Sequence, residues 1–337
     1  MSETVAVLGA GSFGTALAKL LAEGGHRVTI YARDPAVVES INAEHRHPRR
    51  LQEIRLPPGL KATTGIQECV DGASLVVSGI PTVATRQVWE QARDALAEDA
   101  LVVSATKGIE NESLMMISDV LEDILPERHH RNLSYLSGPS FALELSRRLP
   151  TAVTIASHQE QTAAKVQKII STDYFRAYTT TDVTGVELGG ALKNVIAIAV
   201  GASDGLGLGM NTRAALITRG LAEITRLAVK MGAAPATLAG LAGMGDLVLT
   251  CTGPLSRNRT VGFQLGQGKT LDQIMEELGE VAEGVYTTRS VHDLSARESV
   301  EMPIADGVYR MLFAEIGPRE LVHELMGRKL KPEITTG

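Results

Sequence analysis

Lys193 lies in a stretch of sequence where a charged side chain would be able to carry a proton. The surrounding segment, residues 186–197, is apolar almost all round a helix and is therefore expected to be buried. Dry surroundings disfavour an ammonium group, so its pKa moves toward neutrality and it can exchange a proton with a carbonyl or alcohol oxygen. The alternative is a lysine whose stem packs while its charged head reaches water. The segment itself does not distinguish the two interpretations.

Two loops that follow predicted strands offer groups that suit an anionic substrate. Lys107 comes after the apolar run Leu101–Ser104, at the carboxyl edge of a sheet, where open α/β folds bind ligands. The segment Ser137–Ala142 also follows a predicted strand and can present backbone N–H groups at the start of a helix. Each has an ordinary alternative, a surface lysine in the first case and a plain turn in the second.

Two polar segments in the second half of the chain add further candidates. Asp246 closes the sequence Gly243–Asp246, which predicts a glycine-flanked loop from which the carboxylate orients Lys193 or a substrate hydroxyl. A Gly-Asp pair is also common in ordinary turns. The segment Ser256–Asn258 combines a hydroxyl, a planar guanidinium and an amide, a set suited to a phosphate monoester. Its alternative is a solvated basic loop.

A glycine-rich turn near the start of the chain predicts a dinucleotide site. The sequence Gly-Ala-Gly-Ser-Phe-Gly follows the predicted strand Val5–Leu8 and opens a helix. In this pattern Gly9 permits a tight turn, Gly11 lets a pyrophosphate approach the backbone, and Gly14 allows the helix to pack closely on the strand. The N-terminus of the helix supplies N–H groups and a partial positive charge. A glycine-rich turn without a ligand is the alternative.

The end of the second predicted strand, Val28–Tyr31, bears on which dinucleotide is used. An acidic residue there usually holds the ribose 2′-OH of NAD, whereas an arginine accommodates the 2′-phosphate of NADP. Arg33 therefore favours NADP(H), unless it is a solvated loop cation. Asp34 is suited to cap the helix that begins at Pro35, so use of NAD(H) stays open.

The elements that position these residues fall into two parts. Short β-branched runs alternate with helical segments, which predicts a Rossmann-type, doubly wound parallel α/β sheet buried on both faces. The predicted strands are Val5–Leu8, Val28–Tyr31, Leu75–Ser78, Leu101–Ser104, Ser134–Leu136, Val153–Ala156 and Phe175–Tyr178. From about Val186 the apolar spacing becomes helical. We therefore predict a dinucleotide-binding domain over residues 1–187 and an all-α substrate domain over 188–337, with the active site between them.

Composition narrows the class of protein. The chain has 337 residues, of which 44% are hydrophobic, enough for two domains. A net charge of −6 and an aromatic content of 4% argue against a nucleic-acid surface. Cys69 and Cys251 form neither a disulfide framework nor a metal cluster, which fits a reducing cytosol.

Several negative expectations complete this picture. No metal site is expected, because four histidines in polar stretches, interpreted as surface residues, lack matching ligand partners: His45, His47, His129 and His130. No stretch is expected to reach the roughly 20 apolar residues of a membrane span. The chain start lacks the basic and apolar segments of a secretion signal. We therefore expect a cytoplasmic protein without stable membrane insertion.

Taken together, the motifs resemble the bacterial NAD(P)-dependent glycerol-3-phosphate dehydrogenases over essentially the whole chain. The matching segments are Gly9–Gly14, Ala105–Gly108, Ser137–Ala142, Glu187–Asn194, Gly243–Asp246, Ser256–Asn258 and Val281–Gly284. The later segments are the specific ones, since the glycine fingerprint occurs in Rossmann dehydrogenases generally. One departure is Phe13, where many relatives carry tryptophan, a change that preserves an apolar contact.

The resemblance implies reversible reduction of dihydroxyacetone phosphate to sn-glycerol 3-phosphate with NADP(H) or NAD(H), supplying the backbone of phospholipids. It implies that Lys193 is the catalytic proton donor and acceptor, and that the protein is a homodimer. The implied substrate contacts are Lys107, Gly138, Ser140, Lys193, Asp246, Ser256, Arg257 and Asn258. The implied cofactor contacts are Gly9, Gly11, Ser12, Phe13, Gly14, Arg33, Lys107, Ala142, Arg257, Val281 and Glu283.

Two alternatives differ in what they require. Another two-domain hydroxy-acid or sugar-nucleotide dehydrogenase would share the fingerprint and a helix lysine but would need no phosphate site. A cofactor-sensing module without turnover would bind NADPH, and Lys193 would then be only structural. The clustering of reactive groups disfavours this second alternative.

Overall fold

One eight-stranded sheet accounts for the first half of the chain in the computed structural model, which describes residues 2–278, 282–314, 316–330 and 332–333. The strands are β1 (Thr4–Leu8), β2 (Arg27–Tyr31), β3 (Lys61–Thr63), β4 (Leu75–Ser78), β5 (Leu101–Ser104), β6 (Leu133–Ser137), β7 (Thr151–Ala156) and β8 (Phe175–Thr180). Their order is β3-β2-β1-β4-β5-β6-β7-β8. All neighbours are parallel except β6 and β7.

Each of the seven predicted strands corresponds to a strand of the sheet, and the predicted doubly wound fold is confirmed. Strand β3 was missed because it has only three residues, Lys61–Thr63, at the sheet edge, too short for a clear apolar run. The antiparallel pairing of β7 also departs from the predicted parallel sheet. Strand order reverses at β1 and β4, so the crevice beyond their carboxyl ends is where an α/β sheet binds its ligand.

Helices cover both faces of this sheet. Val5 and Val7 of β1 belong to one core cluster, whereas Ala6 and Leu8 belong to the other. The strands can therefore be apolar throughout, as predicted. The helices of this half are α1 (Ser12–Glu23), α2 (Pro35–Glu44), α3 (Ile66–Val70), α4 (Thr82–Ala92), α5 (Ile117–Ile124), α6 (Glu127–His130), α7 (Ala142–Ser146) and α8 (Glu160–Ile170), with a short 3-10 turn at Arg93–Ala95.

The described residues after the sheet are helical and pack around one central helix. The helices are α9 (Val183–Gly205), α10 (Gly209–Lys230), α11 (Pro235–Leu238), α12 (Asp246–Thr252), α13 (Arg257–Gly266), α14 (Leu271–Leu278), α15 (Glu283–Arg297), α16 (Pro303–Phe313) and α17 (Pro318–Met326), with a π-helical turn at Leu241–Gly245. Helix α9 packs against α10, α12, α13, α15 and α16. The predicted division between residues 187 and 188 falls inside α9.

Helix α9 is buried along most of its length. Contrary to the sequence expectation, it is long and apolar enough to cross a membrane, but 83% of its apolar window is buried inside the protein, as in a core helix. Its packing on α13 is close because a Cβ at Gly262 would lie 1.9 Å from the carbonyl oxygen of Ile198. Only glycine allows the two backbones this contact, which holds the middle of α13 against the C-terminal half of α9.

Candidate active site

Two lysines share one buried carboxylate where the sheet edge meets the helical half. Lys193 Nζ donates to Asp246 Oδ1 at 2.5 Å, and Lys107 Nζ donates to Asp246 Oδ2 at 2.7 Å. The Lys193 and Asp246 side chains are 9% and 2% exposed, whereas Lys107 is 16% exposed. Lys193 is therefore buried, which decides between the two interpretations of its sequence position. The cluster carries two potential positive charges and one negative charge.

The three groups shift one another's protonation. Burial lowers the pKa of Lys193 to about 8, against the opposing attraction of Asp246. Burial alone would raise the pKa of Asp246, but the ammonium groups of Lys107 and Lys193 outweigh it and hold that pKa below its ordinary value. Asp246 is thus an anion at neutral pH, while Lys193 lies close to its own titration point. Such a lysine can give and take a proton.

Asp246 reaches this position from a helix, so the predicted glycine-flanked loop is wrong. The residue is the first of α12 and follows the π-helical turn Leu241–Gly245. A Cβ at Gly243 would lie 2.1 Å from the carbonyl oxygen of Leu238, so glycine is needed for a tight helical turn. Sequence analysis interpreted this glycine content as a loop. The π turn directs the carboxylate into the core beside Lys193.

Sequence analysis missed two polar residues of the site: Thr250, which contacts Lys193, and Asn194, which contacts Asn258. Thr250 Oγ1 accepts a hydrogen bond from Lys193 Nζ at 3.0 Å and donates to the carbonyl oxygen of Asp246 at 2.6 Å. Asn194 Oδ1 accepts from Asn258 Nδ2 at 2.9 Å. Their signal was spacing: Thr250 lies four residues after Asp246 on one helical face, and Asn194 adjoins the lysine.

The segment Ser137–Ala142 continues from the end of β6, as predicted, and lies beside Lys107. The carbonyl oxygen of Gly138 accepts from Lys107 Nζ at 3.2 Å and from Ser140 Oγ at 3.0 Å. Gly138 has φ of +138°, and a Cβ there would lie 2.9 Å from Val153 Cα, so the close turn requires glycine. Ala142 begins α7, which confirms the predicted helix start.

The predicted phosphate segment forms the start of α13 rather than a solvated loop. Ser256 is its N-cap, and its hydroxyl accepts from the backbone N–H of Arg259 at 3.2 Å. Arg257 is exposed at the first position of the helix, whereas Asn258 is 9% exposed. Asn258 Oδ1 also accepts from the backbone N–H of Gly284, at 3.0 Å. This bond ties α13 to the start of α15.

Glu283 joins the helical half to the sheet half. It is the first residue of α15, and its carboxylate accepts from the backbone N–H of Thr82 at 3.3 Å, at the start of α4. Burial raises the pKa of Glu283 to about 7, although nearby Arg257, Lys107 and Lys193 lower it. These groups therefore share one electrostatic environment. Val281, also predicted as a cofactor contact, lies outside the described residues.

The glycine fingerprint has the close contacts that a dinucleotide loop needs. Gly9 has φ of +106°, and a Cβ at Gly14 would lie 2.0 Å from the Gly9 carbonyl oxygen, so α1 packs directly on the end of β1. Gly11 precedes α1, and within the described residues no side chain caps this helix. Its N-terminal amides thus suit a pyrophosphate. Ser12 and Phe13 open α1, and Lys107 Nζ lies 6.0 Å from the Phe13 ring centroid, linking the fingerprint to the lysine cluster.

Arg33 and Asp34 follow β2 at the same edge of the sheet, away from the lysines. Arg33 is exposed. Asp34 is the N-cap of α2, accepting from the Ala36 amide at 2.9 Å, as predicted. The cap and a salt bridge with Arg49 lower the pKa of Asp34. The acidic residue at this edge is therefore already engaged.

Comparisons with known proteins agree with this geometry. A family model described as the NAD-dependent glycerol-3-phosphate dehydrogenase N-terminus matches residues 4–163, and the corresponding C-terminus model matches 182–323. The chain belongs to this family.

Members of the family resemble the chain over nearly its whole length. A glycerol-3-phosphate dehydrogenase (NAD(P)+) of Myxococcus xanthus is 53% identical over 97% of this chain and 98% of the relative. The enzyme of the same name from Leptospira biflexa is 52% identical over 98% and 99%. The crystal structure of glycerol-3-phosphate dehydrogenase from Coxiella burnetii has a TM-score of 0.92, with 37% identity over 97% of this chain and 99% of that one. Family membership therefore decides against another hydroxy-acid or sugar-nucleotide dehydrogenase.

The histidines that sequence analysis assigned to the surface divide into two pairs. His45 and His130 are partly exposed, whereas His47 is 3% exposed and His129 fully buried, so the prediction is wrong for the latter two. Polar neighbours in sequence concealed their burial. Among the residues that the structure describes, no group of three or more His, Cys, Asp or Glu side chains could hold a metal ion.

Proposed function

We propose that this protein catalyses the reversible NAD(P)H-dependent reduction of dihydroxyacetone phosphate to sn-glycerol 3-phosphate. The observation that carries the proposal is the buried cluster of Lys193, Asp246 and Lys107 between a dinucleotide fingerprint and a helical half. Full-length relatives that bear the name of this activity support it. If the protein only sensed the cofactor, burying this charge cluster would cost desolvation free energy without serving a reaction.

Lys193 is proposed as the proton donor and acceptor. In the reductive direction its ammonium group gives a proton to the oxygen that develops charge at C2; in the oxidative direction the neutral amine takes the proton back. When bound, NADPH or NADH supplies the hydride to the C2 carbon. Asp246 and Thr250 hold Lys193 Nζ in place through bonds of 2.5 and 3.0 Å. Orientation of this kind lowers the barrier by several kcal/mol.

The substrate and cofactor contacts are proposed from the family resemblance, and the positions of the described substrate-side residues support them. On the substrate side, Gly138, Ser140 and Lys107 approach from the sheet edge, and Ser256, Arg257 and Asn258 approach from α13. The cofactor contacts proposed are Gly9, Gly11, Ser12, Phe13, Gly14, Arg33, Lys107, Ala142, Arg257, Val281 and Glu283. One surplus positive charge in the lysine cluster suits an anionic substrate.

Initial rates of NADPH and NADH oxidation test the proposal most directly. Dihydroxyacetone phosphate is compared with unphosphorylated dihydroxyacetone and with no substrate, by absorbance at 340 nm. We expect rapid oxidation only with the phosphorylated substrate, because binding at its non-reacting end orients C2. Binding of NADPH without substrate-dependent oxidation would overturn the activity and leave the fold intact.

Arg33 is proposed to favour NADPH by contacting its 2′-phosphate. The Arg33→Asp variant should shift preference from NADPH toward NADH, since a carboxylate repels the phosphate and can accept from a 2′-hydroxyl. The ratio of kcat/KM for the two cofactors measures the shift. Equal loss with both would refute the 2′-phosphate role.

The dimer and the supply of phospholipid backbone are proposed from the family resemblance, and the rest of the wider setting from composition and apolar spacing. We propose a cytoplasmic homodimer that supplies the backbone of phospholipids and does not bind nucleic acid. We also propose residues 1–187 as the dinucleotide-binding domain and 188–337 as the substrate domain. Size-exclusion chromatography with light scattering tests the dimer.

A further inference from the structure

The buried ring of His47 joins two segments of the cofactor half. Its Nε2 lies 2.9 Å from the carbonyl oxygen of Ala10, inside the glycine fingerprint. Its Nδ1 lies 3.2 Å from the backbone nitrogens of both Arg49 and Arg50. His47 therefore contacts the loop proposed for the pyrophosphate on one side and an arginine-bearing segment on the other.

These contacts fix the form of the ring. The two backbone N–H groups can only donate, so Nδ1 of His47 must carry a lone pair. The proton then lies on Nε2 and is donated to the Ala10 carbonyl oxygen. The neutral ring thus bridges the fingerprint and residues 49–50 with one donor and one acceptor, and its 3% exposure keeps water from replacing it.

The segment held by His47 delivers a guanidinium to the end of β2. Arg49 Nη2 pairs with Asp34 Oδ2, while Asp34 Oδ1 accepts from the amide of Ala36. Both carboxylate oxygens of Asp34 are thereby engaged, beside the exposed Arg33. Arg49 pairs with this carboxylate and Arg33 also acts on it electrostatically, so these three groups together carry one net positive charge. Without Arg49, the charges of Asp34 and Arg33 would balance.

We propose that His47 is a positioning residue for cofactor specificity: it fixes Arg49 against Asp34, so that the edge favours a ribose bearing a 2′-phosphate. The inference rests on the proposed role of this edge in binding the ribose of NADP(H). Arg49 neutralises the acidic residue that would repel the phosphate, and His47 sets its place relative to the fingerprint. The ion pair is exposed, so its value lies in the sign of the local charge rather than in stability.

Equilibrium binding in the absence of substrate tests this role. Dissociation constants for NADPH and NADH are measured by titration calorimetry for wild type, His47→Ala and His47→Gln, with the exposed His158→Ala as matched control. We expect His47→Ala to reduce the preference for NADPH over NADH about three- to tenfold, the worth of one hydrogen bond. His47→Gln, which keeps a donor at the ε position, should recover part of it. Equal weakening of both cofactors, or no change, would overturn the proposal.

Single and double variants at Arg49 and Asp34 test the proposal even if the His47 variants fold poorly. Arg49→Ala should reduce NADPH preference because it exposes the charge of Asp34, and Asp34→Asn in the same chain should restore it while retaining the helix cap. In an otherwise wild-type chain, Asp34→Asn should raise the NADPH preference, because it leaves both guanidinium groups without a counter-charge. Failure of Asp34→Asn to restore the preference of the Arg49→Ala chain overturns the proposal.

The Arg33→Asp variant distinguishes failure of the proposed 2′-phosphate edge from failure of the proposed role of His47. If Arg33→Asp does not alter the NADPH:NADH binding ratio, the proposed 2′-phosphate edge itself is wrong. If Arg33→Asp alters the ratio but His47→Ala and the Arg49 and Asp34 variants do not, only the positioning role of His47 fails.

Discussion

Helix α9 buries two ionisable residues, Glu187 and Lys193, six positions apart. The carboxyl groups at these two sites, Glu187 itself and Asp246 beside Lys193, have pKa values shifted in opposite directions. Glu187 accepts hydrogen bonds from the backbone N–H and hydroxyl of Ser118, at 3.0 and 2.5 Å. These partners are neutral, and burial raises the pKa of Glu187 to about 8. Asp246, bonded to Lys193, is as deeply buried, yet its pKa lies below the ordinary value because two ammonium groups face it.

The difference shows that counter-charges, rather than burial alone, decide whether a buried acid ionises. Hydrogen bonds from Ser118 do not overcome the loss of water around Glu187, so this end of α9 holds a neutral carboxylic acid at pH 7. Around Lys193, in the middle of the helix, charge is retained where a proton must move. The Glu187 position is therefore suited to holding elements together and the Lys193 position to chemistry.

The largest expected effect on activity comes from removing Lys193. We expect Lys193→Ala to lower kcat by about 10²–10⁴-fold, because the developing oxyanion loses its general acid. The dissociation constant for NADPH should stay close to that of wild type, since the fingerprint is untouched. The exposed Lys168→Ala is the matched control. Activity within about threefold of wild type would contradict the assignment, given the size of typical general acid effects.

Removing the negative charge of Asp246 tests whether it sets the protonation of Lys193. Asp246→Asn keeps the shape but removes the anion that supports the ammonium form of Lys193. The pKa of Lys193, about 8 in the parent, should fall further, by about 1–3 units. Reduction requires the protonated lysine, so the alkaline fall in kcat/KM should move to lower pH. The pH profile of kcat/KM measures this, and an unmoved alkaline limb would show that Asp246 does not set the protonation of Lys193.

Sequence patterns correctly predicted the features that are determined by residues within one contiguous segment. Seven strands, the fingerprint and burial of the segment around Lys193 follow from apolar runs and glycine spacing. Membership of the family also followed from contiguous motifs. These features depend on neighbours in the chain.

Contacts between segments that are distant in sequence could not be predicted from sequence patterns. Lys193 and Asp246 are 53 residues apart, and Lys107 and Asp246 are 139 apart, so their shared charges exist only once the helices pack on the sheet. His47 looked like a surface residue because its neighbours are polar; its burial depends on the fingerprint loop 37 residues earlier. The glycines before Asp246 indicated a loop because sequence alone does not reveal the backbone contact that makes them a π turn.

The smallest expected effect concerns Glu187 and should appear in stability rather than rate. Its folded pKa of about 8 lies above the ordinary 4.5, so its contribution to stability is complete below pH 4.5 and is lost as pH rises through about 8. Nearby Asp119 and Glu122 raise the pKa further. Wild type should therefore lose stability across this range as the unfolded chain ionises first.

Glu187→Gln should remove that pH dependence, because glutamine is neutral at every pH. Its carbonyl can accept from the Ser118 N–H, and its amide can donate to the Ser118 hydroxyl once that hydroxyl turns to accept. Relative to the variant, wild type should lose on the order of 1.4 kcal/mol per pH unit between about pH 5 and pH 8. Urea unfolding at pH 6 and pH 8 measures the difference, with the exposed Glu160→Gln as control. Parallel pH curves for variant and wild type would mean that Glu187 is ionised in the folded protein, and that burial at this end of α9 is compensated as well as it is beside Lys193.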